Sequence, residues 1–113
     1  MDIRRGDIVI ADLGNSVGSE QGKKRPAIII QNDIGNKHSP TTIIVPLTSQ
    51  IKKASQKTHA IIKKTADNGL RCDSMALCEQ VRAIDKSRIC LKIGSESDQM
   101  TMRRVYEAYV ANF

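Results

Sequence analysis

Apolar residues gather in short runs separated by turn-forming clusters, and each run predicts one element. Ile8-Val9-Ile10-Ala11-Asp12-Leu13 follows Gly6-Asp7 and gives way to Gly14-Asn15-Ser16. A β-branched start between turn residues predicts a first strand. Val17 to Arg25 is polar and glycine-flanked, and Pro26 disfavours a helical Arg25 and holds the chain extended into the apolar run Ala27 to Gln31. Such an uninterrupted run predicts a central strand buried on both faces. Asn32 to Pro40 carries turn chemistry throughout. Thr41 to Val45 predicts a third strand, with Pro46 expected to halt its pairing just before Leu47-Thr48.

His59 to Ile62 predicts a short strand, followed by a turn at Asp67-Asn68-Gly69. Ser74 to Ile84 partly alternates, as one long strand that bends or bulges, which would put Gln80 and Arg82 on a common face. A short piece, Arg88 to Leu91, comes next. Ser95 and Ser97 then offer helix N-caps, with Glu96 and Asp98 favouring a helix start. Met102, Val105, Tyr106, Tyr109, Val110 and Phe113 recur at three- and four-residue spacing, one apolar stripe on a C-terminal amphipathic helix. These elements predict a single, mainly β domain over residues 1–113: a small, curled, antiparallel barrel or half-barrel capped by the helix.

Composition narrows the partners. At 113 residues, 40% apolar and 27% charged, the chain is an ordinary folded domain. No apolar run nears the roughly 20 residues of a membrane span, and Met1 to Asp7 has no apolar signal core. A cytosolic protein without membrane contact is expected. Cys72, Cys78 and Cys90 form no CxxC pair and read as reduced core residues; neither a metal nor another cofactor is expected. The net charge is +6, and nearly all the excess lies between Ile51 and Arg71, in Lys52, Lys53, Lys57, Lys63, Lys64 and Arg71. A basic tract of this kind is often only a solvated loop, yet with cations on other loops as well it points to nucleic acid.

The stretch from Gly18 to Lys24 is not a phosphate cradle, because only three residues separate its glycines and Lys23-Lys24, not Lys-Ser or Lys-Thr, follow. What remains is Glu20 five residues before Arg25, and a distant hydroxyl, Thr48. If the second and third strands are antiparallel neighbours, Arg25 at the start of one converges with Thr48 at the end of the other. A guanidinium fork beside a hydroxyl suits a phosphodiester. No metal is needed where the nucleophile is the RNA's own 2′-hydroxyl, with Arg25 stabilising the pentacoordinate phosphorus. Glu20 either accepts the proton or orients Arg25. Taken singly, the plainer roles are a surface ion pair for Arg25, a turn cap for Thr48 and a partner for Arg25 in Glu20; their combination favours the chemical reading. His38 and His59 would make an acid-base pair only if a turn-rich loop and a strand start were brought together. Asp67, Asp73 and Asp85 read as turn residues. All three aromatic residues fall on the C-terminal helix, so bases must be read by edge hydrogen bonds and arginine planes, with Gln80 and Arg82 as candidate readers.

Gly6-Asp7-Ile8, Gly18-Ser19-Glu20-Gln21-Gly22 through Arg25-Pro26, Val45-Pro46-Leu47-Thr48 and Leu77 to Ile84 together resemble the MazF (PemK) toxin endoribonucleases, in order and across most of the chain. The resemblance implies a homodimeric SH3-like barrel, the fold also used by CcdB. It further implies cleavage of single-stranded RNA at a short sequence, and neutralisation by a MazE-like antitoxin. The implied catalytic residues are Arg25 and Thr48 with Glu20. The segments that match the family add Ser19, Gln21, Gln80 and Arg82 as expected RNA-binding residues, and charge alone adds Lys23, Lys24, Lys52 and Lys53. Lys23-Lys24 and the tract after Gln50 depart from the family's pattern, so the resemblance gives them no specific role; Lys23 and Lys24 are expected to serve attraction rather than chemistry, and both segments are loops that shape the RNA groove in such a fold. The competing expectations are a CcdB-like, non-enzymatic toxin directed at gyrase and a non-catalytic RNA-binding barrel.

Overall fold

Seven strands and two α-helices follow the apolar runs: β1 (Asp7–Asp12), β2 (Lys24–Ile29), α1 (Asp33–His38), β3 (Thr41–Thr48), β4 (His59–Ile62), β5 (Ser74–Leu77), β6 (Arg82–Asp85), β7 (Ile89–Ser95) and α2 (Gln99–Val110). The computed structural model describes all 113 residues. Every strand pairing is antiparallel, in the order β4-β5-β3-β2-β1-β7, with β6 also on β3. The terminal strands β4 and β7 do not pair, so the sheet curls without closing into a barrel. Alternation along the central strands sends side chains into two cores. Ile8, Ile28, Val45 and Leu47 pack with Val105 and Ala108 of α2, while Val9, Ala11, Ala27, Ile29 and Ile44 pack with Ile84 on the other face. The two-sided central strand is therefore real.

Several local expectations are corrected. Asn32 to Pro40 is not turn throughout: the Asn32 side chain accepts from the Gly35 N–H at 2.8 Å and starts the six-residue α1. Pro46 does not end β3. It sits opposite Ala27 of β2, and on its other side β6 has left at Ile44 while β5 begins at Leu47. A residue without an N–H costs least where a strand exchanges one partner for another. The expected long strand from Ser74 to Ile84 is two strands, broken by a 3-10 turn over Cys78–Gln80, so Gln80 and Arg82 do not share a strand face. The short piece near Arg88 is the seven-residue β7, paired along β1. Asp98, not Ser95 or Ser97, caps α2, its carboxylate accepting from the Thr101 N–H at 3.1 Å. Of the cysteines only Cys78 is a core residue; Cys72 and Cys90 are exposed.

Candidate active site

The site grows from the register of two strands. Ala27 lies opposite Pro46 and Ile28 opposite Val45; continuing that register by two residues sets Arg25 opposite Thr48, at the mouth of the β2–β3 pair. Directly opposed residues share a face of the sheet. Both side chains line one cleft of about 580 Å³, whose walls carry no Asp or Glu. The Arg25 Nε donates to the Gly22 carbonyl at 3.0 Å, which steers the guanidinium and leaves its terminal nitrogens free. The Thr48 Oγ1 accepts from the Gln50 N–H at 3.1 Å, so its own O–H can still donate. The pair thus presents a fork of N–H donors and a hydroxyl donor to the same space.

Glu20 is placed elsewhere. Its Oε1 accepts from the Val17 N–H at 3.0 Å, and it lines a neighbouring cleft of about 620 Å³ with Gln21, Glu79, Gln80 and Arg82. Its carboxylate makes no ion pair. The loop that carries it is closed by the Leu13 N–H to the Lys23 carbonyl at 2.9 Å and gripped from outside by Gln80. That side-chain amide accepts from the Gln21 N–H at 2.7 Å and donates to the Ser19 carbonyl at 3.2 Å. Gln80 is therefore bound to the loop, while Arg82 donates to the Leu13 carbonyl at 3.3 Å. Lys23, Lys24, Lys52 and Lys53 are exposed. The histidines are not paired: His38 ends α1, whereas His59 donates from Nδ1 to the Lys53 carbonyl at 3.0 Å and turns Nε2 to Glu79 Oε2 at 2.9 Å. Those two bonds tie the lysine-rich loop to the Cys78–Gln80 turn.

Asp85 serves its own turn, whereas Asp73 ties the two ends of the β4–β5 connection together. Asp85 accepts from the Ser87 N–H at 2.8 Å, and Asp73 from the Lys64 N–H at 2.8 Å. No group of three or more His, Cys, Asp or Glu side chains is arranged to hold a metal ion. The cleft also contains Arg71 and Cys72 from the β4–β5 connection and Ser74 at the start of β5, which sequence reasoning left out of the site. Arg71 was visible only as one charge within the basic tract.

The profile of the family described as "PemK-like, MazF-like toxin of type II toxin-antitoxin system" matches residues 4–111. The chain is 49% identical over 108 residues to Endoribonuclease EndoA of Bacillus subtilis, covering 96% of this chain and 91% of that protein. Among solved structures, the crystal structure of MazF from Deinococcus radiodurans superposes with a TM-score of 0.79 at 19% identity, over 99% of this chain and 96% of that one. An endoribonuclease in complex with its cognate antitoxin, from a mycobacterial species, superposes with a TM-score of 0.76 at 19% identity, over 96% and 92%. The likeness spans the whole sheet and both helices.

Proposed function

The chain belongs to the PemK-like, MazF-like toxin family of type II toxin-antitoxin systems, and on that premise we propose that it is a sequence-specific endoribonuclease cutting single-stranded RNA without a metal ion. The observation that carries this reading is the opposition of Arg25 and Thr48 at a cleft free of acidic side chains. Such walls accept a phosphodiester, and the free fork of Arg25 matches two non-bridging oxygens whose charge rises in the pentacoordinate state. The Thr48 O–H holds one of those oxygens. The RNA's 2′-oxygen bonds to the adjacent phosphorus and gives up its proton, the P–O5′ bond breaks, and the 5′-oxygen is protonated. The products are a 2′,3′-cyclic phosphate and a 5′-hydroxyl. Arg25 supplies the positive charge that stabilises the pentacoordinate phosphorus. Glu20 accepts the proton once RNA draws its loop toward the cleft; until then its carboxylate braces the loop.

Two protein partners follow from the same premise. A MazE-like antitoxin carrying an acidic segment complements the +6 charge, and a second copy of the chain makes the homodimer. The protein acts in the cytoplasm, on mRNA. Incubation with a long single-stranded RNA in chelator tests the proposal: the wild type cuts at a recurring short sequence, and folded Arg25→Ala does not. Intact RNA with salt-sensitive binding would make the chain a non-catalytic RNA binder. Neither binding nor cutting would leave the gyrase-directed reading.

A further inference from the structure

Arg71 is an exposed cation without a partner. It projects into the Arg25–Thr48 cleft from the β4–β5 connection. It takes part in none of the three ion pairs, and its guanidinium has no hydrogen bond within the chain, unlike Arg82 and Arg88, which donate to backbone carbonyls. The backbone before it is rigidly held. Asn68 is fully buried; its Oδ1 accepts from the Thr65 and Leu70 N–H groups at 3.1 Å, and its Nδ2 donates to the Lys63 carbonyl at 2.8 Å and to Glu96 Oε1 at 3.1 Å. Gly69 has φ +71 and lies so close to β7 that a Cβ there would run into the Ile93 carbonyl. A basic side chain on a mobile loop attracts anions in general; one on a pinned backbone, facing an acid-free cleft beside a second guanidinium, defines a position for one anion.

We propose that Arg71 binds the phosphate next to the scissile one, so that the cleft is a two-phosphate site for the RNA backbone. This rests on the ribonuclease reading for its substrate and adds a positioning residue outside the Arg25–Thr48 pair. A contact to a phosphate that does not react holds ground state and transition state alike, so it affects KM rather than kcat. Arg71→Ala is expected to raise KM about tenfold, the effect of losing one charge-assisted hydrogen bond, with kcat within about twofold. Arg103→Ala, which removes the same charge from α2, leaves both unchanged. With an oligonucleotide carrying 2′-deoxyribose at the cut position, log affinity against log salt should be shallower by about 0.7 in Arg71→Ala, one phosphate's worth for a single strand. Arg71→Lys restores the slope but not the full affinity. The same oligonucleotide should slow alkylation of Cys72, exposed in the cleft, and leave exposed Cys90 unaffected.

If the wild type cuts RNA while Arg71→Ala matches it in KM and salt slope, the inference is overturned. It is equally overturned if Arg103→Ala raises KM as much, or if RNA leaves Cys72 as reactive as before. A wild type that binds the oligonucleotide with the expected slope change but never cuts RNA would keep the phosphate site and remove the ribonuclease reading.

Discussion

Arg25 suits phosphoryl chemistry because one part of its guanidinium is already committed. Nε is tied to the Gly22 carbonyl, which fixes the plane, and the outer fork stays available for two oxygens at once. A lysine would keep the charge without the plane or the tether. Arg25→Lys should therefore lower kcat by about 100-fold, as losing one oriented oxyanion donor does, while the far-ultraviolet circular dichroism stays that of the wild type. Single-turnover cleavage of a short RNA measures it, and wild-type kcat in Arg25→Lys would show that charge alone suffices. The opposition of Arg25 and Thr48 was legible beforehand because two neighbouring apolar runs imply an antiparallel register, and register fixes which residues face each other. Arg71 was not, since its place depends on a connection folding back over β7 through the buried Asn68, which a local pattern does not encode.

At the level of elements, partner exchange along β3 builds the site. Thr41 to Ile44 pair with β6, and Leu47 and Thr48 pair with β5. Pro46 occupies the gap, which is why a proline read as a stop signal lies inside a strand. The same exchange requires the chain to turn between β5 and β6, and the 3-10 turn at Cys78–Gln80 makes that turn. Alternation alone hid this, because three residues of tight helix hardly disturb a period of two. α1 was hidden for the opposite reason: Asp33, Gly35 and Asn36 are turn formers, and the Asn32 cap starts a helix from them. With Gln80 on the turn, its amide grips the Ser19–Gln21 loop through two hydrogen bonds. Gln80→Ala should therefore raise the amide exchange rate of Gln21 by at least about tenfold, the equivalent of roughly 1.4 kcal/mol of lost local protection. Exchange in β2 and β3 should stay unchanged. A Gln21 amide as protected as in the wild type would show that the loop holds itself.

For the molecule as a whole, charge placement sets limits on its stability. Asp33, Asp85 and Asp98 lie below the ordinary 3.8 because of hydrogen bonds: from the Arg5 backbone N–H to Asp33, from the Ser87 side chain and N–H to Asp85, and from the Thr101 side chain and N–H to Asp98. Depressed carboxylates stabilise the fold above 3.8 and lose that contribution as pH falls through their lowered values. Burial and the neighbouring Glu79 push the Cys78 thiol from 9.0 up to about 12, so its contribution is complete below 9 and disappears as pH climbs toward 12. Urea midpoints measured across pH should fall on both sides, and Cys78→Ala should flatten the alkaline side alone; an alkaline fall of equal depth in that variant would assign it to other groups. Within this pH range the open, curled sheet holds Arg25 and Thr48 at the mouth of β2 and β3, and the central claim is that they direct attack by the RNA's own 2′-hydroxyl. The most direct measurement is digestion in chelator of two RNAs differing only in a 2′-deoxyribose at the cut position, with the new ends identified. The ribose substrate should yield a 5′-hydroxyl and a 2′,3′-cyclic phosphate while the deoxy substrate stays whole. Cleavage of the deoxy substrate, or a 5′-phosphate at the new end, would contradict it.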